Sequence, residues 1–193
     1  MPSVVSSARL FCPARTVTLK KFLPFLLAFV LPLLAVYAWW GGFNPVVIEE
    51  SAAGPYSYAY VESKGDYSKL PDKAVEARAA LRAAGIEAGN PITVLYSNPD
   101  LVDVGERHAR TGFLIPRGSK VSFPLEVDTI PQRRVLVVRV RAGGMLAPGR
   151  AYAALDKYLQ ARGKGIQMPT VEIYQAADSS LSMGQLSVEM ELK

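Results

Sequence analysis

The chain has 193 residues, half of them hydrophobic and 9% aromatic, which is enough apolar material for a domain-sized core and excludes a wholly disordered chain. The formal charge of +5 is unevenly spread: residues 1–21 hold Arg9, Arg15, Lys20 and Lys21 with no acid, which leaves 18 basic against 17 acidic residues in the remainder. A remainder so nearly neutral lacks the bulk positive excess of a DNA-reading domain, and the lone Cys12 excludes an internal disulfide framework or a cysteine-based metal cluster.

After the basic segment 1–21 comes FLPFLLAFVLPLLAVYAWW, residues 22–40, 19 residues without a charge. A bilayer crossing needs about 20 such residues in a helix. Tyr37, Trp39 and Trp40 cluster at one end and Lys20 and Lys21 close the other, as at two membrane interfaces. The sequence therefore predicts a single transmembrane helix over 22–40, with lipid as a partner. Basic residues on the N-terminal flank place that terminus in the cytoplasm and the domain beyond the membrane, in the periplasm if the source is bacterial. A cleaved signal peptide ending at VYA is the competing reading.

PVVIEE, at Pro45 to Glu50, reads as a strand, so the folded domain is expected over 45–193. Sliding residues 57–98 along by 78 positions aligns them without gaps on 135–176. Gly65 meets Gly143, Leu81 meets Leu159, Ala83 meets Ala161, Gly85 meets Gly163, Pro91 meets Pro169 and Tyr96 meets Tyr174. Each copy reads strand (YAYVESK, LVVRVRA), glycine-containing turn, helix, glycine, proline, strand (ITVLYS, TVEIYQ). Apolar residues recur at helical spacing: Ala74, Ala77, Leu81 and Ala84 in the first copy, Tyr152, Leu155 and Leu159 in the second. Pro71 and Pro148 fit the first turns of these helices, and Gly85 and Gly163 fit their ends. A further strand follows each copy, RTGFLIP at Arg110 to Pro116 and GQLSVEMEL at Gly184 to Leu192. The unit is strand-helix-strand-strand used twice, module one at about 45–120 and module two at about 130–193.

The ordered set GPYSYAYVESKGDY (54–67), VLYSNPD (94–100), RHARTGFLIP (107–116), AYAALDKYL (151–159) and PTVEIY (169–174) resembles the GyrI-like small-molecule-binding domains. That fold occurs in the DNA gyrase inhibitory protein and in effector-sensing domains of AraC-type and MerR-type regulators. The resemblance implies an α+β domain whose two modules form one antiparallel sheet, with two helices on one face and a cleft on the other. Membrane-anchored members also occur, among them a receptor for selective autophagy of the endoplasmic reticulum. This chain stops at Lys193, directly after the last strand, so the long recruiting tail of such a receptor is not expected.

Glu172 is out of place in the strand TVEIYQ. Alternate residues of a strand share a face, so Val171 and Ile173 are expected to pack on the helices while Glu172 and Tyr174 face the cleft. By the 78-residue offset, Val94 and Tyr96 are their counterparts, giving apolar and aromatic walls around one carboxylate. Such a pocket suits an amphipathic cation. The resemblance implies the same for Glu172, since a glutamate of the corresponding strand meets cationic ligands in effector domains. The alternative is a solvated Glu172 paired with Arg139 or Arg141 of a neighbouring strand.

Other candidates carry less. His108 is the only histidine, with no cysteine or second histidine for a metal site or triad. RAGGMLAPG lacks the Lys-Ser/Thr ending of a P-loop and reads as a turn. Tyr56, Tyr58, Tyr60 and Tyr67 read mainly as strand packing. The basic excess between Gly105 and Arg150 reads as a solvated face. The expected function is binding of a small cationic or amphipathic molecule without chemistry. The alternatives are hydrolysis of small electrophilic rings, with Glu172 as general base aided by Tyr174 or Tyr96, and a protein-interaction module. A small molecule is the expected partner and no nucleic acid is, because residues 1–44 are too short and apolar for a helix-turn-helix; no cofactor or metal is expected.

Overall fold

The computed structural model describes residues 19–177 and 183–192. The basic stretch up to residue 18, with Cys12, lies outside the described residues. The chain divides into two compact units, residues 1–37 and 38–193. A helix α1 runs from Leu19 to Trp39, all but its last two residues in the first unit, with Pro24 and Pro32 inside its 21 residues. Each proline withdraws a backbone donor from the helical ladder. The helix also opens on Lys20 and Lys21, so its uncharged part is shorter than the helix itself. Among the described residues no helix is long and apolar enough to cross a membrane. This corrects the transmembrane span expected over 22–40 and, with it, the cytoplasmic N-terminus and extracytoplasmic domain that rested on the span.

The second unit is one antiparallel sheet with two helices. Its elements are β1 (Val46–Ala53), β2 (Tyr56–Lys64), α2 (Leu70–Ala83), β3 (Pro91–Leu95), β4 (His108–Leu114), β5 (Glu126–Ile130), β6 (Arg133–Arg141), α3 (Ala147–Gln160), β7 (Thr170–Gln175) and β8 (Gln185–Glu191). The strand order is β1-β6-β8-β7-β3-β4-β2-β5. Strand-helix-strand-strand recurs as β2-α2-β3-β4 and β6-α3-β7-β8, meeting at the central β3/β7 pair. Both helices have proline in the first turn and close in the same way. Ile86 N–H donates to Leu81 O and Lys164 N–H to Leu159 O, each at 3.0 Å, across glycines at φ +68° and +66°. Only glycine takes such a φ without strain, which fixes where each helix stops.

The sheet is curled. β1 and β2 lie six strand spacings apart in the order, about 29 Å in a flat sheet, yet only Gly54 and Pro55 connect them. Three Cα steps reach at most about 11 Å, so the two edges must approach each other. Pro131 and Gln132 impose the same closure between β5 and β6. Accordingly, Tyr56 Oη of β2 donates to Glu189 Oε1 of β8 at 2.7 Å although four spacings separate those strands. The inside of the curl is filled by Tyr58, Tyr60, Ile92, Val94, Val171 and Ile173, all buried. The helices take the other face, α3 over Leu136, Val138, Leu186 and Val188 and α2 over Ala59, Val61 and Phe113.

Candidate functional site

Residues paired across a sheet share a face, and one row crosses nearly the whole helix-bearing face. Val138 pairs with Val188, Val188 with Glu172, Glu172 with Thr93, Thr93 with Thr111, and Thr111 with Val61. The valines at the two ends lie beneath the helices. Glu172, Thr93 and Thr111 occupy the middle, where the gap between α2 and α3 leaves the central strands uncovered. This gap is a cavity of about 380 Å³, walled by Leu70, Pro71 and Ala74 on one side and Pro148 and Tyr152 on the other.

The cleft therefore lies on the same face as the helices, correcting the expectation that it lies opposite them. Over the central strands the opposite face is taken up by the curl, which buries Tyr58, Tyr60, Ile92, Val94, Val171 and Ile173 there. The assignment within β7 is inverted for the same reason: Val171 and Ile173 point into the curl, whereas Glu172 points into the cleft between the helices.

Glu172 is half-buried and, among the described residues, takes part in no ion pair. Arg139 is on the opposite face and pairs with Glu49, and Arg141 Nε donates to Gln185 Oε1 at 3.4 Å. Loss of water around the Glu172 carboxylate raises its pKa, an effect the Tyr152 hydroxyl partly offsets. That hydroxyl shares a 2.8 Å hydrogen bond with Oγ1 of Thr170, which is fully buried. Thr93 Oγ1 and Thr111 Oγ1 lie 3.0 Å apart on the floor. Either hydroxyl can be the donor of the bond between them. Among the described residues, no lysine, arginine or histidine lines the cavity.

The other expected wall residues go elsewhere. Tyr174 shares a face with Glu172 but packs on the core beneath α3, its Oη donating to Ala142 O at 3.1 Å. Val94 is buried inside the curl. Tyr96 is on that same inner face, its ring stacked on His108 at 4.9 Å between centroids. Of the tyrosines read as strand packing, Tyr67 reaches the cleft, with its Oη 2.9 Å and 3.0 Å from the carbonyls of Ser97 and His108. Tyr152, Thr93 and Thr111 are the site residues the sequence reading missed. Tyr152 reads as one more apolar helix position, and its hydroxyl is the only sign of a second role. The two threonines become visible once the register opposite Glu172 is known.

No protein-family model matches the chain, and no curated protein matches it. Solved structures do. The C-terminal domain of EcmrR has a TM-score of 0.60 at 11% identity, over 77% of this chain and 98% of that one. EcmrR in its complex with DNA gives 0.59 at 10% identity, over 90% of this chain and 68% of that one. The fold is the GyrI-like one. SAV2435 bound to tetraphenylphosphonium shares it too, with a TM-score of 0.53 at 11% identity over 76% of this chain and 94% of that one.

Proposed function

We propose that this GyrI-like domain binds a small amphipathic cation in the cleft between α2 and α3, with Glu172 as the counter-charge. The carrying observation is a single carboxylate, without a cationic partner among the described residues, on the floor of a largely apolar cavity. A carboxylate held out of water is costly until paired. A lipophilic cation brings the missing charge and covers the apolar walls, while the ring of Tyr152 offers it an aromatic surface. The tetraphenylphosphonium held by SAV2435, which has the same fold, is a ligand of that class.

Glu172→Gln keeps the side chain's shape and removes its charge. Tetraphenylphosphonium affinity is expected to fall about ten- to a hundred-fold, the worth of a charge-assisted contact of about 1.5–3 kcal/mol. The ligand-free variant should melt at or above the wild-type temperature. Thermal melts with and without tetraphenylphosphonium test this; an unchanged ligand-induced shift in the variant would refute the role of Glu172.

A further inference from the structure

A second cavity, of about 630 Å³, adjoins the cleft and shares Leu95, Pro99 and Tyr152 with it. Tyr152 thus stands between two chambers. The outer chamber lies along α3 and the loops at 98–101 and 165–168, with Leu101, Ile166 and Met168 as its apolar lining. Among the described residues its charges are of one sign: Asp100 and Asp156 line it, and no lysine, arginine or histidine does. After residue 21 basic and acidic residues balance, 18 against 17, so two joined chambers with three carboxylates and, among the described residues, no cation depart from that balance. Asp156 is half-buried and follows Tyr152 by one helical turn, about 6 Å along the axis. It accepts a hydrogen bond from Gln160 Nε2 at 2.6 Å and, like Asp100, joins no ion pair among the described residues.

We infer that the outer chamber is a second binding chamber, and that the two together take an elongated dication: one cationic head at Glu172, an apolar spacer past Tyr152, and a second head at Asp156 and Asp100. This rests on the reading of the inner cleft as a cation site. A ligand with one head has no group to meet the outer carboxylates, whereas a ligand with two has a charge for each chamber and an apolar spacer for the lining between them.

Calorimetric titration of the full chain with decamethonium and with decyltrimethylammonium, its counterpart with a single head, tests the inference. The wild type should bind decamethonium about tenfold more tightly, and Asp100→Asn/Asp156→Asn should abolish that advantage while leaving decyltrimethylammonium affinity unchanged. Glu172→Gln should weaken both. If decyltrimethylammonium binds in a Glu172-dependent way but the second head adds nothing, or its advantage survives in the aspartate variant, the outer chamber is refuted and the inner site stands. If neither probe binds the wild type, both readings fall.

Discussion

Glu172 sets the cleft's chemistry through two opposed pH effects. Burial holds its pKa above the ordinary carboxylate value, so the folded chain keeps this proton to higher pH than the unfolded chain does. Where the folded state binds more protons, stability falls as pH rises. The contribution of Glu172 is therefore most favourable below the unfolded carboxylate value and is lost as pH rises through the raised folded value. Cation binding needs the ionised form and runs the other way: tetraphenylphosphonium affinity should drop as pH falls through the Glu172 pKa, and should be flat with pH in Glu172→Gln. Tyr152→Phe removes the hydroxyl that favours the ionised form, so the midpoint of that drop should move to higher pH. The same change leaves the buried Thr170 hydroxyl without its partner, at a cost of about 1–3 kcal/mol. Titrations across a pH series with the three proteins would show this, and a midpoint that stays put in Tyr152→Phe would mean that the hydroxyl does not act on Glu172.

The helices form the cleft's walls, and α3 is held by Ala151, Leu155 and Leu159, all buried against β6 and β8. Leu155→Ala should cost about 3 kcal/mol, as large-to-small changes in a packed core do. Val75→Ala on the exposed side of α2 should cost almost nothing, since Val75 is 69% exposed; denaturant midpoints would separate the two. How the repeat maps onto these elements explains what was legible. The 78-residue offset is correct for the helices: it carries Ala77 to Leu155, Leu81 to Leu159, and the Ile86 closing bond to that of Lys164. For the central strands it has the wrong parity. Residues that face each other across the antiparallel β3/β7 pair are an odd number apart; Thr93 and Glu172 differ by 79. An even offset shifts the register by one and sends each side chain to the other face. That is why the offset pairs Glu172 with Val94, which points into the curl, and not with Thr93, which lies beside it in the cleft. Nothing in an ungapped alignment exposes a one-residue slip between helix and strand. The edge strand β5 is not legible in the sequence either, because EVDTI is short and half polar and gains its strand identity from pairing with β2.

At the scale of the whole molecule, the two modules exchange their edges. β1, which leads into the first module, pairs with β6 of the second, and β5, which leads into the second, pairs with β2 of the first. With two-residue connections this exchange curls the sheet, and the curl decides which face is available to a ligand. The tyrosine-rich face is spent on the interior. The helix-bearing face keeps an opening between α2 and α3, where one module supplies Thr93 and Thr111 and the other Tyr152 and Glu172. Sequence patterning shows the duplication, the helices and the oddity of Glu172, but the direction of the curl depends on which distant edges meet, and no local pattern encodes that. A structure of the chain with tetraphenylphosphonium tests the central claim most directly. The cation should lie between α2 and α3, against the Glu172 carboxylate and the ring of Tyr152; a cation on the opposite face, among Val94, Tyr96 and Ile173, would contradict it.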